Sequence, residues 1–83
     1  MEVFVCKGFS GQIYRVKIDP EQPVGRQLPQ ILEQMQFVVP DLERLGIYNL
    51  TQDFEYVREK SFTEQRTCEC DLLLIADGSV CHK

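Results

Sequence analysis

Tryptophan is absent from this chain of 83 residues, and histidine occurs once, as His82. A lone histidine beside Cys81 near one end has no third group to orient it, so a nucleophile–base pair is not expected there. Basic residues are outnumbered nine to thirteen, the formal net charge is −4, and Lys and Arg are not grouped. Phosphate neutralisation needs grouped cations, so nucleic acid is not expected as a partner. No apolar run approaches the roughly 20 residues of a membrane-spanning helix, and no membrane insertion is expected. Met1-Glu2-Val3-Phe4-Val5 places no positive charge before its apolar residues, unlike a secretory signal. The expectation is a complete, cytoplasmic, non-enzymatic chain that carries no cofactor. The sequon Asn49-Leu50-Thr51 matters only in a secreted protein.

One long segment, residues 23–37, has a helical period. Val24, Leu28, Ile31, Leu32 and Met35 recur at steps of three and four and so share one face. Arg26, Gln27, Gln30, Glu33, Gln34 and Gln36 fill the others. Such a stripe needs a surface to cover it. Pro29 interrupts the pattern, because proline inside a helix costs about 3 kcal/mol. Either the helix kinks there, or residues 23–28 form a loose first turn and the regular helix begins near Pro29. Gly25 suits both, since it relieves crowding four residues before the proline.

The flanking segments alternate like strands. Residues 2–6 place Val3 and Val5 on one face and Glu2, Phe4 and Cys6 on the other. Residues 13–18 place Tyr14, Val16 and Ile18 opposite Arg15 and Lys17. A glycine-bracketed loop joins the two as a β-hairpin, and Asp19-Pro20 ends it. A third strand is expected over residues 45–50, with Tyr48 and Leu50 toward the helix and Ile47 and Asn49 outside. Residues 54–57 suggest a short edge strand. Ser61-Phe62-Thr63-Glu64 has the form of a capping box and predicts one short helical turn. A last strand covers residues 71–75. This order gives one α+β domain over residues 1–76, followed by a flexible tail, residues 77–83. With first and last strands adjacent at the centre of a mixed four- to five-stranded sheet, and one main helix packed on one face, the layout is a β-grasp.

Four cysteines, Cys6, Cys68, Cys70 and Cys81, allow three pairings. Without a signal peptide, free thiols are expected. Cys68 and Cys70 are separated by one residue, not the two to four of a zinc knuckle. Cys6 and Cys70 would lie at opposite ends of neighbouring parallel strands, roughly 12 Å or more apart. No metal is expected.

Met1-Glu2-Val3-Phe4-Val5, the Gly11 turn and Val16-Lys17-Ile18-Asp19-Pro20 resemble the first hairpin of ubiquitin. Pro23-Val24, then Leu28-Pro29 and Ile31-Leu32, resemble the helix of the YukD/EsaB ubiquitin-like family, whose members carry a leucine–proline pair there. Residues 61–64 and 69–73 resemble that family's Thr-Leu-x-Glu and Asp-Gly-Asp-x-Leu, with Cys70 in place of the glycine and Thr67 in place of an aliphatic residue. The resemblance covers about residues 1–76. It implies an accessory protein of a bacterial type VII secretion system that acts by binding protein partners, the cytosolic components of a membrane secretion machine. Ubiquitin-like modifiers and sulfur carriers of this fold work through a C-terminal Gly-Gly, whereas this chain ends Gly78-Ser79-Val80-Cys81-His82-Lys83. A modifier or sulfur carrier with a masked C-terminus is the alternative.

Strand alternation supplies a candidate surface. If Leu73 and Ile75 face the helix, Leu72 and Leu74 face away from it. Phe4 would lie beside them and Ile47 could join. An apolar cluster on an outer sheet face calls for a partner or for cover by residues 76–83. Arg15 and Lys17 would form a basic rim that aligns an acidic partner. The expected partner-binding residues are therefore Phe4, Arg15, Lys17, Ile47, Leu72 and Leu74.

Overall fold

A computed structural model describes residues 1–8 and 10–77, with the backbone alone at Asp77. The chain folds as α+β, with a mixed five-stranded sheet and one short α-helix. The strands are β1 (Glu2–Lys7), β2 (Ile13–Lys17), β3 (Leu45–Asn49), β4 (Phe54–Glu55) and β5 (Leu72–Asp77). Their order across the sheet is β2-β1-β5-β3-β4. β1 pairs with β2 antiparallel and with β5 in parallel, so the first and last strands meet at the centre. β5 runs two residues beyond the expected Ile75, since Ala76 and Asp77 pair with Gly46 and Leu45. Asp77, expected in the tail, is thus part of β5, and residues 78–83 lie outside the described residues.

The helical segment resolves the problem posed by Pro29. A 3-10 turn, Gly25–Gln27, precedes α1 (Leu28–Gln34), and Pro29 sits in the first turn of α1. Backbone N–H groups there have no intrahelical acceptor, so proline forfeits no bond and its fixed φ suits the position. No kink is needed. Gly25 is required for a different reason than helix crowding: a Cβ there would lie 2.9 Å from Arg58 Cβ. The Gly25 N–H donates to Arg58 O at 2.9 Å, which fastens this turn to the segment after β4.

α1 ends with Gln36 in the left-handed region at φ 53°. The Phe37 N–H donates to Leu32 O at 3.0 Å and the Gln36 N–H to Glu33 O at 3.1 Å, the two bonds of a Schellman motif. The Ser61–Glu64 capping box also forms. The Glu64 N–H donates to Ser61 Oγ and the Ser61 N–H to Glu64 Oε1, each at 3.0 Å. That single turn closes with Arg66 at φ 62° and a Thr67 N–H to Phe62 O bond of 3.1 Å.

The core lies between the sheet and α1. Val24, Leu28, Ile31, Leu32 and Met35 are all buried there, together with Val3, Val5, Val16, Ile18, Leu73 and Ile75. Tyr14 packs against the core half-buried. Phe62 and Tyr56 complete it in an edge-to-face contact, ring centroids 5.2 Å apart.

β3 has the opposite facing to the one expected. Leu45, Ile47 and Asn49 point into the protein, while Tyr48 is half-buried and Leu50 exposed. Two features reverse the apparent pattern. Gly46 lies on the outer face, between inward Leu45 and Ile47, and must be glycine because the Tyr48 ring folds over it: a Cβ there would come within 2.5 Å of Tyr48 Oη. Asn49, a polar residue, is wholly buried in a hydrogen-bond network.

Candidate functional site

Sheet register fixes which side chains share the outer face. The Ile18 N–H donates to Met1 O at 2.8 Å and the Lys7 N–H to Gln12 O at 2.9 Å. These bonds make Met1/Ile18 and Lys7/Gln12 hydrogen-bonded pairs. The intervening Glu2/Lys17, Phe4/Arg15 and Cys6/Ile13 are then non-hydrogen-bonded pairs, in which side chains approach most closely. All six belong to the face turned away from α1, because their strand neighbours Val3, Val5 and Val16 are in the core.

Phe4 occupies the middle of this face. It is opposite Arg15 on one side and Leu72 on the other, and 48% of its surface remains exposed. The next row reads Ile13, Cys6, Leu74, Tyr48 across four strands. Ile13 and Leu50 are also largely exposed, and Leu72 is half-buried. The result is an apolar strip that crosses the centre of the sheet.

Two expected members do not belong to the exposed strip. Ile47 is a core residue, because β3 faces the other way. Leu74 does face outward, but at 8% exposure it is buried. Cys6 and Tyr48 flank it in register, so Leu74 is the floor of the surface. Phe4, Leu72, Arg15 and Lys17 lie where alternation puts them. Ile13 and Leu50 were not anticipated: the first opens a strand whose inward set drew attention to its other face, and the second followed from the inverted reading of β3.

The rim is more nearly neutral than the sequence suggests. Arg15 Nε pairs with Glu2 Oε1 at 2.6 Å, both side chains being open to solvent. Lys17 stands opposite Glu2. Met1, Glu2, Phe4, Arg15 and Glu69 together line a depression at this end of the sheet. Exposed ion pairs of this kind contribute about 0–1 kcal/mol to stability, so they are available to partners.

A second polar cluster lies where β5 begins. Asp71 Oδ2 accepts from Asn49 Nδ2 at 2.9 Å, from Gln52 Nε2 at 2.6 Å and from the Cys68 N–H at 3.0 Å. Burial works against charge on this carboxylate, but the three donors outweigh it and hold its pKa below the ordinary value. Asn49 also donates to Tyr56 Oη at 3.0 Å, and Tyr56 Oη lies 2.6 Å from Thr67 Oγ1. Burial pushes the Tyr56 phenol up. Every buried side-chain polar atom here has a partner. The network ties β3 to the residue preceding β5, and we read it as structural.

Cys6, Cys68 and Cys70 carry free thiols, and Cys81 lies outside the described residues. Among the described residues no cluster of His, Cys, Asp or Glu could hold a metal ion, and no helix is long and apolar enough to cross a membrane. On the helix side, Pro29, Leu32, Phe37, Val39 and Leu42 line a groove together with Gln30 and Glu33, and neighbouring Val38 is 90% exposed. Neither a family model nor a curated protein matches this sequence.

Proposed function

We propose that this chain is a non-enzymatic, ubiquitin-like β-grasp protein that docks a protein partner on the outer face of its sheet. The observation that carries this reading is Phe4, a large aromatic residue left 48% exposed between Arg15 and Leu72 on a face with no covering layer among the described residues. Scattered apolar residues need no explanation, but a contiguous strip marks an interaction surface. Anchors of this type carry most of an interface's energy, while rim charges such as Arg15 and Lys17 tune association.

The strand order supports the β-grasp assignment, with parallel β1 and β5 central and α1 across one face. The secretion role rests on the resemblance of Leu28-Pro29 and of residues 61–73 to the YukD/EsaB family. On that reading the protein is cytoplasmic and its partners are cytosolic components of a bacterial type VII secretion machine. Affinity capture from the host tests it, comparing the unaltered chain with Phe4→Asp. A secretion component captured by the first and lost by the second is the expected result. Thioester capture by an activating enzyme would instead favour the modifier or sulfur-carrier alternative.

A further inference from the structure

The open edge of β2 is partly sealed by glutamine side chains. Because Ile18 and Gln12 bond to β1, the backbone groups of Ile13, Arg15 and Lys17 point away from the sheet. Gln34 of α1 closes Lys17: its Oε1 accepts the Lys17 N–H at 2.8 Å and its Nε2 donates to Lys17 O at 2.9 Å. Gln27 treats Asp19 in the same way, at 2.9 and 2.8 Å. At the other side of the sheet Gln65 does so for Val57, at 2.7 and 3.0 Å. Each amide stands in for one residue of a neighbouring strand, which protects an edge from unwanted pairing. Among the described residues, Ile13 and Arg15 have no such clip.

We infer that the Ile13–Arg15 edge of β2 accepts a short extended segment of a partner protein, added antiparallel as a sixth strand. The inference builds on the outer face as a docking surface and specifies what docks beside it. Ile13 and Arg15 offer two N–H and two C=O groups, which one partner strand can satisfy with two residues spaced by one. The Gln34 clip ends the available edge and so fixes the register. The partner residue opposite Arg15 shares its outer face, where Arg15 and Lys17 both project, and a carboxylate is its complement. The Arg15 guanidinium meets Glu2 through Nε, which leaves its terminal nitrogens to donate. Two residues further along, the partner side chain lies against exposed Ile13, and an aliphatic group fits it. The middle residue turns toward the half-buried Tyr14. The recognised pattern is acidic, any residue, aliphatic. A second copy of β2 does not meet it, because Ile13-Tyr14-Arg15-Val16-Lys17 contains no carboxylate.

The test uses a capped peptide, Ser-Thr-Glu-Val-Ile-Thr-Ser, titrated into the isotope-labelled chain and followed by backbone amide shifts. Saturable shifts centred on the Ile13 and Arg15 amides are expected. Replacing the peptide's Glu by Lys should weaken binding about tenfold. Methylating the backbone nitrogens of its Glu and Ile should abolish binding. On the protein side, Arg15→Pro removes an outward N–H without breaking the β1 ladder, so it should keep its melting temperature within a few degrees and lose the peptide. Absence of shifts at Ile13 and Arg15 up to millimolar peptide overturns the inference, as does equal binding of the methylated peptide. Either failure leaves the outer-face reading standing if Phe4→Asp still loses its host partner; if that variant keeps its partner, both fall.

Discussion

Asn49 Nδ2 donates to Asp71 Oδ2 at 2.9 Å, and both side chains are almost wholly buried. The bond joins β3 to the residue preceding β5, and Gln52 and the Cys68 N–H converge on the same oxygen. Removing the acceptor leaves the Cys68 N–H without its acceptor and takes one bond each from Asn49 and Gln52, which keep Tyr56 Oη and Arg66 O; an unsatisfied buried donor is costly. Asp71→Ala should destabilise the fold by about 2–4 kcal/mol, measured by urea denaturation. A loss of less than about 1 kcal/mol would mean that water replaces the carboxylate without penalty.

The same carboxylate predicts an acid limb. Its folded pKa lies below its unfolded value, so between the two the unfolded chain binds more protons and stability falls as pH falls. The contribution is complete above about pH 4 and disappears as pH drops through the folded pKa. Denaturation midpoints from pH 6 to 2 should decline more steeply in the unaltered protein than in Asp71→Asn. Parallel curves would assign the acid limb to other groups.

Gln36 occupies a left-handed position that closes α1, at φ 53°. A side chain there costs energy that glycine avoids, partly offset by glycine's greater freedom when unfolded. Gln36→Gly should raise stability by about 0.5–1 kcal/mol, seen as a higher melting temperature. A lower one would show that the Gln36 side chain contributes contacts that outweigh the strain.

Leu74 and Phe4 share the outer face yet should respond differently to charge. Leu74→Asp places a carboxylate at a buried site between Cys6 and Tyr48 and should cost about 3 kcal/mol or more. Phe4→Asp alters a half-exposed site and should cost about 1 kcal/mol. Thermal melts of the two variants check this. Equal melting temperatures would mean that Leu74 is as open to solvent as Phe4.

The helix face was fully legible, because five apolar residues at helical spacing have only one way to be buried together. The hairpin and the capping box were legible for the same reason: local periodicity and local polar pairing decide them. The adjacency of β1 and β5 is a long-range pairing, and the sequence offered it only as what a mixed sheet allows. β3 was not. Its facing depends on a ring over Gly46 and on a buried Asn49 whose Nδ2 donates to Asp71, 22 positions away, and to Tyr56. Alternation counted Asn49 as a surface residue and so inverted its neighbours, which placed Ile47 outside and Leu50 inside. Alternation correctly turned Leu72 and Leu74 outward, but it carries no information about how far an outward residue is buried, and Leu74 is buried while Leu72 is half-buried. The glutamine clips were invisible for a related reason, since Gln27 and Gln34 read as polar helix surface until β2 lies beside them.

The most direct test of the docking surface is photo-crosslinking in the native host, with Phe4→benzoylphenylalanine compared against the same replacement at exposed Glu59. The account predicts an adduct with a cytosolic component of a membrane secretion machine from position 4 and none from position 59. An identical adduct pattern at both positions, or no adduct at position 4 in a variant that melts normally, would contradict it.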